Sequence, residues 1–184
     1  EAGVLPVMKH LPGHGAAQLD SHLSLPHIEC DRAALDALDF AAFKPFSDLP
    51  FGMTAHLVFD QIDPQPATIS SKMIRLIRHD LGFDGFLMTD DISMEALSGT
   101  VAERSAASIE AGCDAVLHCN GNIAEMNAII DQIGPLSDAA QIRADAALAK
   151  RRVPSQVDIK ALRAENAWLN AQKDANIRGH ENPI

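Results

Sequence analysis

Four short, nearly unbroken apolar runs alternate along this chain with longer stretches of helical periodicity, and each run closes on polar residues. Val4 to Lys9 (VLPVMK) is the first, weakened as a strand by Pro6. Phe51 to Phe59 (FGMTAHLVF) contains the second, Asp84 to Thr89 (DGFLMT) the third, and Asp114 to His118 (DAVLH) the fourth. Continuous apolar character, in place of strict alternation, marks strands covered on both faces. The intervening segments read as helices. Asp31 to Phe43 sets Ala34, Leu35, Leu38 and Ala42 on one stripe behind an Asp31 N-cap. Ile69 to Leu81 turns Met73, Ile74 and Ile77 inward, capped by Ser70 or Ser71 and stopped by Gly82. Ser93 to Ala111 and Asn122 to Ile133 each run to a glycine, Gly112 or Gly134, and further helices are expected near 137–151 and 158–172. A frayed end is expected at GHENPI.

Strand and helix in strict alternation imply a parallel sheet with right-handed crossovers, an α/β fold whose chemistry gathers at the C-terminal ends of the strands. Those ends are Lys9-His10, Thr54 to His56, Thr89-Asp90-Asp91 and His118 to Asn120. Four successive ends of this kind favour a parallel (β/α) barrel of TIM type over a doubly wound sheet, where ligand groups collect at one switch point. A complete barrel takes about 250 residues, so 184 residues supply only about four β/α units, the C-terminal half of a barrel by position. The first residues already read as the inside of a strand, and the expectation is that something upstream is missing. The barrel half is placed at 1–153 and a C-terminal helix and tail at 154–184.

Composition narrows the function classes. Hydrophobic residues at 47% and charged ones at 22% suit a packed core. A net charge of −10 spread along the chain gives no footprint for nucleic acid or an anionic membrane. There is no apolar run of about 18 residues and no basic leader, so neither a membrane span nor a signal peptide is expected and a cytoplasmic location is. Cys30, Cys113 and Cys119 show no Cys-x-x-Cys spacing and read as reduced thiols, with Cys113 and Cys119 on or beside a buried segment.

The titratable groups crowd into KHLPGHGAAQLDSHLSLPH, Lys9 to His27, which holds four of the eight histidines. Gly13-His14-Gly15 lacks the third glycine and the Lys-Ser/Thr pair of a phosphate loop. His10 and His14 have a zinc-like spacing, yet Leu11-Pro12-Gly13 prevents one helix from carrying both; a loop-built metal site from His10, His14, His22 and Asp90 is the alternative. Asp20-Ser21-His22 sets a carboxylate two residues from an imidazole, and such a contact favours the imidazolium as a proton donor. Asp90 and Asp91 are adjacent at a strand end, so at most one faces a pocket; the strand directly upstream sets Asp90 at the barrel mouth, against the plainer reading that one acid caps a helix starting near Ser93 and the other is solvated. Lys9 and His10 offer hydrogen bonds to sugar hydroxyls or an anion.

As an ordered set, KHLPGHG at 9–15, DSH at 20–22 and TDDISM at 89–94 resemble the bacterial β-N-acetylhexosaminidases of glycoside hydrolase family 3, as do MTAH at 53–56, PATIS at 66–70 and AGCDAVLHCNG at 111–121. The resemblance spans about residues 1–150. It implies a TIM-type barrel and a retaining enzyme that removes terminal β-linked N-acetylglucosamine, especially from muropeptides in cell-wall recycling, without a cofactor or metal. Asp90 then matches the nucleophile, His22 the acid/base with Asp20 as its partner, and Lys9 and His10 the residues that hold the sugar. Family barrels are about twice as long, and their N-terminal half supplies further sugar-binding residues. A missing N-terminal half or a second chain is therefore the partner this resemblance calls for. Two other readings stand beside it: a metal-dependent hydrolase using the histidine cluster, and a non-catalytic half-barrel that binds sugar or oligomerises.

Overall fold

The computed structural model describes residues 3–17 and 24–179. In chain order the strands are β1 (Val7–Leu11), β2 (His27–Ile28), β3 (Phe51–Thr54), β4 (Val58–Phe59), β5 (Asp63–Pro66), β6 (Phe86–Asp91) and β7 (Ala115–Leu117). The helices are α1 (Arg32–Ala37), α2 (Ser71–His79), α3 (Val101–Ala111), α4 (Ile123–Ile133), α5 (Asp138–Ala149) and α6 (Ile159–Gly179). The described residues fall into two compact units, Leu5–Arg151 and a second that contains α6.

The first unit is built on a four-stranded sheet in the order β1-β3-β6-β7. Every pairing in it is parallel, with Val7 against Phe51 and Phe51 against Phe86, so spatial order follows chain order as in successive units of a TIM-type α/β fold. The four apolar runs are these strands. β1 begins at Val7, just past Pro6, which has no N–H to give to the ladder. One face of the sheet meets α1 and α2 through Met8, Leu11, Leu35, Met73, Ile77 and Leu87. Close approach there requires glycine at position 52, where a Cβ would stand 2.7 Å from Leu11 and 2.8 Å from the Phe83 ring.

The other face carries Phe51, Phe86, Met88 and Ala115, packed against Ala140, Ala144 and Ala147 of α5. These alanines recur at helical spacing, and their small side chains let the helix lie close to the sheet. Polar tethers hold α5 to residues that precede the strands. Lys150 Nζ donates to the Asp48 carbonyl at 2.6 Å, and Arg143 reaches Asp84 at 3.4 Å and Asp114 at 2.8 Å. Asp114 is buried and fully used, since its other oxygen accepts from Arg78 at 2.7 Å and from the Leu87 N–H at 2.8 Å.

Several expectations are corrected. The helix expected over Asp31 to Phe43 ends at Ala37, although Asp31 does cap it. Leu38 is 74% exposed, and the chain turns so that Phe40, at 1%, enters the core against Phe59. The helix expected from Ser93 starts at Val101, because Thr100 and Glu103 form a capping box while Asp91 ties Ser93 into a turn. Ser70, Asn122 and Ser137 cap α2, α4 and α5 by accepting backbone N–H bonds. A second sheet, β2-β4-β5, has one parallel and one antiparallel pairing and was not anticipated. Its strands are two to four residues long, too short for periodicity to register, and β5 contains two prolines. Cys113 is buried as expected, but Cys119 is exposed, as is Cys30; all three are free thiols.

In the second unit Asp158 caps α6 by accepting from Ala161 N at 3.0 Å, and Trp168 is exposed. Among the described residues no helix is long and apolar enough to cross a membrane.

Candidate active site

Parallel strand ends bring β1, β3, β6 and β7 to a common edge. In β6, Phe86 and Met88 share the face covered by α5 while Leu87 packs on the opposite side. A bulge between Met88 and Asp91 interrupts strict alternation just before the two acids, so their contacts and not the strand period place them. The two carboxylates have different surroundings. Asp90 Oδ1 accepts from the Asp91 N–H at 2.9 Å, and Oδ2 lies 3.4 Å from His10 Nε2 across the sheet. Asp91 is spent on structure: Oδ1 accepts from the Ser93 and Cys119 N–H groups, each at 3.1 Å, and Oδ2 from the Ser93 hydroxyl at 2.7 Å. Partial burial would raise its pKa, yet the bonds from Ser93 and Cys119 hold it below the ordinary value. Asp90 instead turns an oxygen toward His10 on β1, with β3 lying between the two strands.

His10 sits in Lys9-His10-Leu11-Pro12, where both the Lys9–His10 and the Leu11–Pro12 peptides are cis. Burial pushes the His10 pKa down, Asp90 offsets this in part, and Lys9 and His14 push the same way as burial. A neutral imidazole at 3.4 Å is a polar neighbour of Asp90 and not an ion pair. The rings of His10 and His14 stand 5.9 Å apart. Lys9, exposed, precedes His10 on β1. The glycines of the following loop lie against Asp39: a Cβ on Gly13 would come 2.8 Å from Asp39 Cβ, and one on Gly15 would come 3.2 Å from its Oδ1. Asp20 and His22 lie outside the described residues. The structure thus unites His10, Lys9 and Asp90 at one edge. Among the described residues no group of three or more His, Cys, Asp or Glu is arranged to hold a metal ion.

Residues to which the sequence assigned no individual role form the floor of this edge. His56, fully buried beyond β3, places Nδ1 2.7 Å from Thr68 Oγ1 and Nε2 3.0 Å from the Asp91 carbonyl oxygen. Thr68 Oγ1 is also 2.8 Å from Thr54 Oγ1. Arg104 on α3 donates to the Ile92 and Met94 carbonyls at 3.1 and 3.0 Å. Just past β7, His118 pairs with Glu125 at 2.7 Å. The signals in the sequence were polar residues at the close of apolar runs and the family resemblance of the segments that hold them, Thr54 and His56 in MTAH and His118 in AGCDAVLHCNG. A cavity of about 710 Å³ lies elsewhere, lined in part by Arg78, Cys113, Asp114 and Arg143, and both arginines there are already committed to Asp114.

The pattern of the glycosyl hydrolase family 3 N terminal domain matches residues 1–153. A β-hexosaminidase of Shewanella frigidimarina is 34% identical over 183 residues, covering 94% of this chain and 51% of its own length. A family 3 β-N-acetylglucosaminidase from Paenibacillus superposes with a TM-score of 0.73 at 32% identity, over 85% of this chain and 34% of that one. The Neisseria gonorrhoeae NagZ structure in complex with N-trifluoroacetyl-D-glucosamine gives a TM-score of 0.69 at 32% identity, over 88% of this chain and 46% of that one. The chain spans about half the length of the Shewanella relative and less than half of these two solved structures.

Proposed function

The chain belongs to glycosyl hydrolase family 3, and from that premise we propose that it carries the nucleophile side of a retaining exo-β-N-acetylglucosaminidase. Terminal β-linked N-acetylglucosamine is the substrate, muropeptides of cell-wall recycling are its source, and the cytoplasm is the place of action. The observation that carries the reading is the division of labour at the end of β6. Asp90 presents Oδ2 to the end of β1, 3.4 Å from His10, while Asp91 is consumed by backbone and hydroxyl donors.

A retaining glycosidase needs one group to attack the anomeric carbon and another to protonate the leaving oxygen, then to deprotonate water. Asp90 takes the first role, forming an ester to the sugar as the glycosidic bond breaks. His22, partnered by Asp20, takes the second. The Asp90 anion favours protonated His22, and esterification removes that charge, so the imidazole pKa falls and the same ring serves as base. Lys9 and His10 hold sugar hydroxyls by hydrogen bonds, a role that suits the neutral His10 ring. The N-terminal half of the barrel, or a second chain, supplies the rest of the pocket wall. The residues named need no cofactor. The binding of an N-acylated glucosamine by the Neisseria relative supports the substrate class.

The protein containing this chain should hydrolyse an aryl β-N-acetylglucosaminide with the β-anomer as first product, and a fluorosugar that traps the intermediate should map to Asp90. An α-anomer as first product, or an ester on Asp91, would overturn the assignment.

A further inference from the structure

Between the sheet and the Asp90 strand end lies a hydrogen-bonded chain that the proposed chemistry does not use. His56 is fully buried with both ring nitrogens engaged, Nδ1 with the Thr68 hydroxyl at 2.7 Å and Nε2 with the Asp91 carbonyl at 3.0 Å. A carbonyl oxygen can only accept, so Nε2 carries the proton. Burial pushes the His56 pKa down, with the neighbouring Asp91 carbonyl and the two carboxylates offsetting this only in part, so the ring is neutral and Nδ1 is an acceptor. The Thr68 hydroxyl must then donate to Nδ1, in preference to the Ala55 carbonyl 3.1 Å away, and its oxygen accepts from Thr54 at 2.8 Å. One tautomer and one proton direction result: Thr54 to Thr68 to His56 to the Asp91 carbonyl.

That carbonyl belongs to the residue directly after Asp90. The turn beyond is held in the same way, since Arg104 occupies the carbonyls of Ile92 and Met94. Asp91 anchors its own side chain to Ser93 and Cys119. The backbone past Asp90 is therefore fixed by side-chain donors at Asp91, Ile92 and Met94, and only the first of these donors, His56, comes from β3's side of the sheet. Among the described residues the Asp90 carboxylate has one backbone tether, the Asp91 N–H at 2.9 Å. Any shift of residue 91 moves that tether.

We infer that His56 is a positioning residue: by holding the Asp91 carbonyl it aims Asp90 at the anomeric carbon, without itself touching substrate. The inference deepens the proposed function and rests on it. A nucleophile displaced by about 1 Å loses on the order of 100-fold in rate, and the loss falls on kcat because the sugar-holding residues Lys9 and His10 stay in place.

The test uses the intact protein that contains this chain, as wild type, His56→Leu, His56→Gln and Thr68→Val. Readouts are kcat and KM on an aryl β-N-acetylglucosaminide, the rate at which a trapping fluorosugar labels Asp90, and the melting curve. His56→Leu keeps the volume and loses the donor. Its kcat and labelling rate should fall on the order of 100-fold, with KM changed by no more than about threefold. His56→Gln can still donate from the Nε2 position and should recover at least about tenfold of that loss. Thr68→Val leaves Nδ1 unpartnered and should cost about 3- to 10-fold in kcat. If His56→Leu fails to fold, the paired results for Gln and Val decide. Wild-type kcat in His56→Leu, equal losses in Leu and Gln, or a loss carried by KM would each overturn the positioning role while the proposed function stands. A wild-type protein that turns over no β-N-acetylglucosaminide overturns the proposed function and this inference with it.

Discussion

Asp90 Oδ2 and His10 Nε2 meet at 3.4 Å although they terminate different strands with β3 between them in the sheet. The contact exists because parallel strands in chain order deliver all their ends to one edge, where Asp90 reaches His10 while Asp91 is held by Ser93 and Cys119.

Replacing Asp90 by Ala in the intact protein should lower kcat by about 10³ or more, on the order of 4 kcal/mol of transition-state stabilisation. Asp91→Asn should cost only about tenfold while lowering Tm, because its hydrogen bonds are structural. Steady-state kinetics of the two variants side by side make the comparison; a larger kcat loss in Asp91→Asn would reverse the roles.

Asp114 joins Arg78 at 2.7 Å and Arg143 at 2.8 Å beside the strand starts, away from the chemistry. Asp114→Ala leaves two arginines without their carboxylate and should destabilise the protein by about 3 kcal/mol. Denaturant midpoints should shift accordingly, with KM unchanged in the fraction that remains folded.

Acid should weaken this fold through His56. Its folded pKa lies below the ordinary 6.5 because of burial. Between those two values the unfolded chain binds more protons than the folded one, so stability rises with pH there and is lost as pH falls through 6.5. In His56→Gln the slope of unfolding free energy against pH below 6.5 should flatten. It should not vanish, since burial lowers the His10 pKa in the same direction. An unchanged slope would show that the ring is charged when folded.

Gly85 and Gly82 should respond differently to alanine. A Cβ at Gly85 would lie 2.6 Å from the Leu49 carbonyl and 2.8 Å from that of Pro50, backbone atoms that cannot swing aside. The cost should be about 2 kcal/mol or more. At Gly82 nothing stands within 4 Å, and only the φ of +73° opposes a side chain, at about 1 kcal/mol. Thermal melts of the two variants would rank them.

Alkylation of the native protein should follow the order Cys30, then Cys119, then Cys113. Cys30 and Cys119 are exposed, but partial burial and the carboxylates of Asp91 and Asp90 raise the Cys119 pKa and keep it a thiol. Cys113 is buried, with its pKa pushed up to about 12. Intact mass and peptide mapping after timed iodoacetamide treatment give the order directly.

The strands were legible because burial on both faces writes an unbroken apolar run, and the place of Asp90 at the end of one such run was legible with them. Capping was legible too: Ser70 and Asp31 cap where expected. The late start of α3 is also written in Thr100-Val-Ala-Glu103, a capping box, although the acids upstream point to an earlier start. Leu38 misled because a helical stripe does not reveal that the chain will break to bury Phe40. The links from His56 to Thr68 and Asp91, and from Asp114 to Arg78 and Arg143, join residues far apart in sequence. No local pattern encodes them; they appear only when the crossovers bring the strand ends together.

The chain of hydroxyls beneath the catalytic edge has a spectroscopic consequence. A ring N–H that is sealed from solvent and bonded to a carbonyl exchanges slowly with deuterium and resonates downfield of the amide envelope. The His56 Nε2 proton thus offers a built-in NMR beacon, readable without substrate, whose line sharpens or vanishes with the integrity of the Asp90 strand end.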